Sequence, residues 1–399
     1  MMFATARSCM STVYLDHAAT TPLAPPVLEA MRPYLTEQFG NASSVHQMGR
    51  TARVAVEEAR EQVAECLGAA PSEVVFTSGA TEANNLAIKG ILASGSSDTQ
   101  EAGLVTSAAE HEAVLEPAEH LQERGHPVTI LSPGSTGAVS PSQVADAIDE
   151  STALVSLMYV NNEIGVQTDI RGIAEVCREH DVLFHCDAVQ AAGLVPLDVA
   201  ELGVDLLSLS AHKFYGPKGV GVLYVRGGVE PAPLVEGGSQ ERERRGGTEN
   251  VPGVVGCAEA LTRAVEQRDE RADHLRTLQR TLVDGLEDVV PGEYVLNTPV
   301  DEAPVAPHIV NVAFPPVEGD PLDGEMLILN LDMEGVLVSA GSACTSGALE
   351  PSHVLSALGL DRETASAAVR FSLGADTTAA EIETALDALG TVLQRMQRL

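Results

Sequence analysis

Between residues 50 and 225, short apolar runs rich in β-branched residues and leucine alternate with segments of helical character. The runs read SEVVFTSG, GLVTS, HPVTILS, TALVSLMYV, DVLFHCD and VDLLSLS. Alternation of this kind is typical of a mainly parallel sheet flanked by helices, because parallel strands need crossover connections and become buried on both faces. The sequence therefore predicts an α/β fold.

The length of 399 residues favours a large α/β domain with a smaller partner over a single minimal core. We expect a large domain over residues 14–258 and a smaller α/β C-terminal domain over residues 259–399, which the segment 1–13 could join. Residues 256–290 read as a helix that leaves the large domain. Near the C-terminus, Thr378 and Glu381 fit a capping box, and a helical apolar stripe predicts core packing. The stripe comprises Ile382, Leu386, Leu389, Leu393 and Met396.

The formal net charge is −33, and only three of the 24 basic residues are lysines, namely Lys89, Lys213 and Lys218. An acid excess keeps a surface solvated but self-repelling, and salt screens that repulsion. We therefore hypothesise a salt-adapted host, and we disfavour an acidic tail that binds a basic partner, since the carboxylates are scattered. Direct binding of nucleic acid through a basic face is disfavoured. No run is apolar enough to span a membrane and no signal-peptide core is evident, so we expect a cytoplasmic protein.

The six cysteines include no CxxC pair, so the sequence indicates neither a zinc ribbon nor a thioredoxin motif, and no metal-ligand spacing stands out. We expect all of these thiols to be reduced. One of them, Cys344, stands in the run SAGSACTSG at residues 339–347, among side chains too small to bury it. The thiol is either incidental or a sulfur that other molecules can reach.

The run FTSGATEAN ends a predicted strand and begins a predicted helix at Phe76–Asn84. Free backbone N–H groups, hydroxyls and the positive end of a helix dipole suit a phosphate. A capped helix after a glycine turn is the structural alternative, and this motif alone is only suggestive.

The run LSLSAHKFYGPKGVG places Ser210, His212 and Lys213 directly after a buried strand, where α/β sheets present catalytic groups. Desolvation there would lower the pKa of the lysine and make its amine a nucleophile. Lys89 near a helix end and Lys218 in a turn have ordinary explanations. Lys213 is therefore the candidate for an amine that traps a carbonyl.

Asp187 ends another apolar strand within the run FHCDAVQ. A buried carboxylate there needs a cationic partner, such as a protonated pyridine nitrogen, although a helix N-cap is the alternative for this residue alone. A phosphate cradle, an acid and a lysine at the strand ends of one sheet together indicate pyridoxal phosphate.

With these motifs in place, the chain resembles the cysteine desulfurases of the NifS/IscS type, within the class V aminotransferase family of fold type I pyridoxal phosphate enzymes. The resemblance extends from YLDHAATTP at Tyr14 to VRFSLG at Val369. Between them lie FTSGATEANNLAIKG, EHEAVLEP, VNNEIGVQTDI, HCDAVQAAG, SLSAHKFYGPKGVG, GGSQERERRGGTENV and SAGSACTSGALEPSHVL. Two motifs depart from the usual pattern, NASS at residues 41–44 and RGGT at residues 245–248, and both keep the expected contact residues.

The resemblance implies that Lys213 holds the cofactor as a Schiff base, Asp187 pairs with its pyridine nitrogen and Gln190 contacts its ring hydroxyl. It implies that His111 stacks on the ring and has a possible part in proton transfer. The implied phosphate ligands are Ala80, Thr81, Ser210, His212 and, from a neighbouring subunit, Thr248. The last of these makes a homodimer part of the expected site.

For the substrate, the resemblance implies that Arg370 and Asn162 bind the carboxylate of L-cysteine, with Asn162 also at the cofactor and Asn41 near the substrate. Lys213 would move the Cα proton, and Cys344 would take the sulfur as a persulfide while L-alanine leaves. The sulfur acceptor would be an iron–sulfur scaffold or a sulfur-relay protein for tRNA thiolation. The open alternatives are a small-substrate class V aminotransferase, a selenocysteine lyase and a scaffold subunit that carries sulfur. The run at residues 339–347 resembles the long, mobile loop of one desulfurase group.

Overall fold

The computed structural model describes residues 12–94, 102–340 and 351–396. The strands are β1 (Val13–Tyr14), β2 (Val74–Thr77), β3 (Gly103–Ser107), β4 (Val128–Leu131), β5 (Thr152–Met158), β6 (Leu183–Asp187), β7 (Leu206–Ser210), β8 (Gly221–Val225), β9 (Val295–Leu296), β10 (Ile309–Ala313), β11 (Val336–Leu337) and β12 (Ala368–Ser372). The helices are α1 (Pro25–Thr36), α2 (Gln47–Leu67), α3 (Ala80–Ser94), α4 (Glu112–Glu123), α5 (Pro141–Ala147), α6 (Ile170–Glu179), α7 (Val199–Leu202), α8 (Val251–Glu266), α9 (Arg268–Val289), α10 (Gly324–Met333), α11 (His353–Ala357), α12 (Arg362–Ser366) and α13 (Ala379–Arg395). Within these ranges no helix is long and apolar enough to cross a membrane.

The central sheet has seven strands in the order β2-β8-β7-β6-β5-β3-β4. The pairs from β4 through β7 are parallel, and β8 runs antiparallel to both of its neighbours. All six apolar runs predicted as strands belong to this sheet, so the predicted mainly parallel α/β architecture is confirmed. Its central strands β6 and β7 are buried along almost their whole length, which places their carboxyl ends on the inside of the molecule.

A second core surrounds the antiparallel sheet β12-β10-β9 and includes buried side chains of α9, α10 and α13. The predicted capping box is present at Thr378 and Glu381, and the predicted stripe of α13 is buried in this core, with Met396 at its partly buried end. β1 pairs in parallel with β11, so the start of the described chain joins the C-terminal part. The division into domains at residues 258/259 remains a proposal.

The prediction of one helix over residues 256–290 is wrong, because the helical run is interrupted at Gln267 between α8 and α9. The two helices serve different cores. α8 packs on α1 and α2, and close approach is possible because a side chain on Gly256 would collide with Met31. α9 instead packs on α13 in the second core through Leu275, Leu278 and Leu282.

A buried ion pair fixes the loop of residues 236–249 to the central sheet. The Glu241 carboxylate accepts hydrogen bonds from Arg60 Nη1 at 2.8 Å, from Arg60 Nη2 at 3.0 Å and from the Phe76 backbone N–H at 3.0 Å. Glu241 has a left-handed backbone with a φ of 44°, and the next two residues are also left-handed. The carboxylate contacts therefore hold a strained turn against β2, at the first residue of the cradle motif.

We predict that Glu241→Ala destabilises the protein by about 3–5 kcal/mol, because it leaves the Arg60 charge buried without its partner. The measurement is the free energy of unfolding from urea denaturation. Glu201→Ala is the matched control, since Glu201 pairs with Arg171 on the surface and its loss should cost less than about 1 kcal/mol. Equal losses in the two variants would contradict a special role for the buried pair.

Candidate active site

The ends of three strands bring the predicted cradle, acid and lysine to one edge of the central sheet. The cradle motif begins at the end of β2, Asp187 ends β6, Ser210 ends the neighbouring β7, and Lys213 lies in the short turn that follows β7. Gly221, paired with Ser210 across β7 and β8, lies so close to Gly79 that a side chain on it would collide with the Gly79 backbone. The glycine pair therefore allows the start of α3 to approach the end of β7.

The start of α3 is held by Glu82, whose carboxylate accepts the Ser78 N–H at 2.8 Å and Arg245 Nε at 2.9 Å. Ala80 is half-buried and Thr81 is exposed at this helix start. A Cβ added to Gly79 would find only the Ser210 hydroxyl, at 3.9 Å, which leaves open space between the helix start and β7. Backbone donors and a hydroxyl border this space, as a phosphate requires.

Lys213 is half-buried, and its Nζ donates to the backbone oxygens of Ala18 at 2.6 Å and Ala19 at 3.0 Å. Burial lowers the pKa of the Lys213 amine to about 8, and Arg370 adds to this effect, against the opposing carboxylates of Asp187 and Asp16. A neutral, nucleophilic amine is thus accessible close to neutral pH. The direction of this pKa shift is the one expected for a lysine after an apolar strand.

Asp187 is buried, and its two oxygens have separate partners. Oδ1 accepts the Val189 N–H at 3.0 Å and so caps the turn after β6, whereas Oδ2 accepts Asn84 Nδ2 at 2.6 Å. Asp187 therefore caps the turn after β6, as the alternative for this residue predicted, but only one of its two oxygens takes part in the cap. Sequence reasoning assigned no role to Asn84, although it closes the cradle motif.

A buried acid lies behind Asp187. Glu110 is 1 % exposed and accepts the Met158 N–H at 2.8 Å. Burial first, and then the charge of Asp187, raise the pKa of Glu110 well above its usual value. Glu110 is therefore held toward its neutral form beside the Asp187 carboxylate.

A cavity opens beside Lys213, lined among others by His17, Gln190, Tyr215, Arg271 and His308. Gln190 Nε2 donates to the Ala18 oxygen at 2.9 Å, so Gln190 and Lys213 share one acceptor. No local sequence pattern indicates a site role for His308, whose buried ring lies 3.2 Å from Gln190 Oε1.

His212 faces the N-terminal segment, with Nδ1 at 3.2 Å from Thr20 Oγ1. Burial lowers the pKa of His212 to about 4, and the charges of Lys213 and Lys218 contribute. The imidazole is therefore neutral at physiological pH, able to donate one hydrogen bond and accept another.

Arg370, in the centre of β12, is buried and points its fork toward the N-terminal segment. Nη1 donates to the Asn162 backbone oxygen at 2.8 Å and Nη2 donates to Asp16 at 2.9 Å. The Arg370 backbone also pairs with Ser339, which begins the run of residues 339–347. Cys344 itself lies outside the described residues, five positions after Ser339.

Three predicted site residues are exposed, and two of them make local hydrogen bonds. His111 is exposed and caps α4, where its Nδ1 accepts the Ala113 N–H at 3.0 Å. Asn41 is exposed and accepts the Ser43 N–H, and Thr248 is exposed in the loop that Arg245 ties to Glu82. Hydrogen bonds of the described residues do not join Asn41 or Thr248 to the Lys213 group. Their site roles remain proposals.

The donor set fits pyridoxal phosphate. The open cradle offers donors to a phosphate, Asp187 offers an anion to a ring cation, and Lys213 offers an amine to an aldehyde. Asn84, the partner of Asp187, has a buried Oδ1 that makes no hydrogen bond within the protein. Among the described residues no cluster of three or more histidine, cysteine or carboxylate side chains is arranged for a metal ion.

Comparison with known proteins gives a family for this arrangement. The family model described as "Aminotransferase class-V" matches residues 13–385. Cysteine desulfurase IscS of Dictyoglomus turgidum is 46 % identical over 387 residues, covering 97 % of this chain and 96 % of its own. Putative cysteine desulfurase IscS 1 of Bacillus subtilis is 44 % identical over 390 residues, covering 97 % of this chain and all of its own.

Solved structures agree with these relatives. A NifS-like protein superposes with a TM-score of 0.88 at 38 % identity, covering 96 % of this chain and 100 % of its own. The structure titled "SspA in complex with cysteine" has a TM-score of 0.78 at 38 % identity and covers 91 % of this chain and 99 % of its own. The chain therefore belongs to the class V aminotransferase family, among the pyridoxal-phosphate-dependent cysteine desulfurases of the IscS type.

Proposed function

We propose that this protein removes sulfur from L-cysteine, holds it as a persulfide on Cys344 and releases L-alanine. The observation that carries this function is the position of Lys213. Its amine donates to the same backbone oxygen as Gln190, and the charges of Arg370 and Asp187 act on its pKa. The backbone of Arg370 is paired with Ser339, where the run that contains Cys344 begins. An amine, an anion, a carboxylate-binding fork and a nucleophilic sulfur are the groups that this reaction needs.

Bound pyridoxal phosphate supplies an aldehyde that joins an amine and a ring that accepts electrons from a substrate carbon. Lys213 would hold the aldehyde carbon, Asp187 the ring nitrogen and Gln190 the ring hydroxyl. The phosphate would be held by Ala80, Thr81, Ser210 and His212. His111, Asn162 and Asn41 complete the proposed set, with His111 over the ring.

Lys213 is also suited to move a proton at the substrate Cα. A pKa of about 8 leaves the amine partly neutral near pH 7, so it can take up a proton and return it. The two backbone oxygens at 2.6 and 3.0 Å orient the nitrogen when it carries charge. Burial excludes water from part of this site and strengthens these interactions.

Arg370 is suited to bind the substrate carboxylate. Asp16 and the Asn162 oxygen already fix the direction of its guanidinium plane, which reduces the conformational entropy lost when a ligand binds. Pairing with Asp16 also keeps this buried cation compensated before substrate arrives.

The sulfur step needs no external oxidant. The Cys344 thiolate attacks the substrate Sγ, an S–S bond forms, and the Cβ–Sγ electron pair stays on the substrate carbon, which is protonated to give alanine. Cys344 keeps the persulfide until a thiol of an acceptor takes the outer sulfur. We propose an iron–sulfur scaffold or a sulfur-relay protein for tRNA thiolation as this acceptor, and the cytoplasm as the location.

A homodimer is part of the proposal, with Thr248 reaching the phosphate of the neighbouring subunit. The exposed Thr248 and the tether from Arg245 to Glu82 support this placement.

We predict that Cys344→Ser keeps the cofactor absorbance and loses persulfide formation, since only the sulfur nucleophile is removed. The measurement is mass spectrometry of the peptide at position 344 after incubation with isotopically labelled L-cysteine. Cys257→Ser, at a buried thiol, is the control for a cysteine outside the site. Undiminished sulfide release from the Cys344 variant would rule out this residue as the nucleophile and favour a different activity on the same fold.

We predict that cofactor-depleted protein captures the aldehyde of added pyridoxal phosphate more rapidly as the pH rises through about 8. The lowered pKa of Lys213 makes the reactive neutral amine predominant above that value and scarce below it. Absorbance of the bound cofactor gives the rate, and Lys218→Arg is a control at an exposed lysine. A midpoint near the ordinary lysine pKa of about 10.4 would contradict the proposed desolvation.

We predict that Arg370→Lys raises KM for L-cysteine by about 10- to 100-fold, because an ammonium cannot replace the bidentate fork and charged hydrogen bonds contribute about 1.5–3 kcal/mol. Steady-state kinetics measures this change, with Arg171→Lys on the surface as the control. An unchanged KM accompanied by a lower kcat would instead place Arg370 outside substrate binding.

A further inference from the structure

A chain of hydrogen bonds runs from the antiparallel sheet of the second core to the amine of Lys213. It begins at His308, which directly precedes β10 and is 5 % exposed. The His308 backbone oxygen accepts the Leu373 N–H at 2.7 Å, so the base of this side chain is fixed by the end of β12. Its ring nitrogen Nε2 lies 3.2 Å from Gln190 Oε1.

The partners of Gln190 fix the direction of its amide. Nε2 donates to the Ala18 oxygen at 2.9 Å, and Lys213 Nζ donates to the same oxygen at 2.6 Å. The amide oxygen therefore faces His308. Since an amide oxygen only accepts, His308 must donate from Nε2, which leaves Nδ1 unprotonated in the neutral ring.

The environment of His308 keeps the ring in that neutral state. Burial lowers the pKa of His308 to about 3, and the charges of Arg370, His17 and Lys213 contribute. The buried Nδ1 of His308 has no hydrogen-bond partner, so no donor opposes its unprotonated state. His308 is thus a fixed, uncharged, single donor to Gln190.

We propose that His308 is a positioning residue that locks the Gln190 amide with its nitrogen toward Ala18 and its oxygen away from the Lys213 nitrogen. This inference rests on the proposed function for the roles of Gln190 and Lys213. Both donors meet at one oxygen, so the Gln190 amide is a neighbour of the Lys213 nitrogen. Without the His308 donor, the amide can rotate and present Oε1 to that nitrogen, where an acceptor favours the protonated form.

The test leaves the other charged and titratable groups around Lys213 unmutated. They are Arg370 from β12, Asp187 from β6 and Asp16 from the N-terminal segment, with His212 beside Lys213 on the same turn. A change in the protonation of the Lys213 nitrogen can therefore be assigned to the amide of Gln190 or to the lost ring itself.

The test compares holoenzymes of His308→Leu, which removes the donor, and His308→Gln, which keeps an amide donor. The readout is the pH titration of the cofactor absorbance, which reports protonation of the Lys213 nitrogen without turnover. We expect the midpoint to rise by roughly one pH unit in the leucine variant, because the charged form gains an acceptor, and to return to the wild-type value in the glutamine variant. His126→Leu, at a half-buried histidine bonded to the Ala102 oxygen, should leave the midpoint unchanged.

A second comparison separates positioning from packing. In a Gln190→Leu background, His308→Leu should produce no further shift, because the amide through which it acts is gone. A shift that persists without Gln190, or a wild-type midpoint in His308→Leu, would overturn the proposal. If His308→Leu does not fold, His308→Gln provides the test, since a shifted midpoint in that folded variant would also overturn the proposal. Failure of all variants and the wild type to release sulfur would refute the proposed function while leaving the titration result intact.

Discussion

The carboxyl edge of a buried parallel sheet is the constraint on which the site depends. β6 and β7 are neighbours in parallel, so Asp187 and the turn with Lys213 emerge on the same side. Burial there disfavours both charges, and each is tolerated because fixed partners compensate it: Asn84 and a backbone N–H for the acid, two backbone oxygens for the amine. The same burial that would destabilise unpaired charges makes the amine a usable nucleophile.

Local pattern predicted much of this arrangement. The six apolar runs became strands, and the strand ends carry Asp187, Ser210 and Lys213 where an α/β sheet exposes functional groups. The capping box at Thr378 was also predictable, because all of its atoms belong to four consecutive residues. These predictions succeeded where the interaction is local or follows from the parallel topology itself.

The remaining features depend on partners that are distant in sequence. Glu241 looks like one more acid in the run ERERR, and only the fold shows that it lies against Arg60, which is 181 positions away. His308 contacts Gln190, which is 118 positions away in sequence, and no sequence periodicity predicts that contact. The break at Gln267 is not predictable from local pattern, because the helical pattern continues through it, although the flanking helices α8 and α9 pack into two different cores.

The strongly acidic composition affects how the site attracts its anionic ligands. A net charge of −33 creates a negative field that opposes the approach of an anionic cofactor phosphate or a substrate carboxylate. The cradle and the Arg370 fork act against this field at short range, and a Debye length of only about 3 Å at 1 M salt would remove most of its long-range part. High salt would also weaken exposed ion pairs far more than the buried pairs of Arg60 and Arg370. Because Arg370 is held in a buried pair with Asp16, its position depends less on salt than the exposed ion pairs of the acidic surface do.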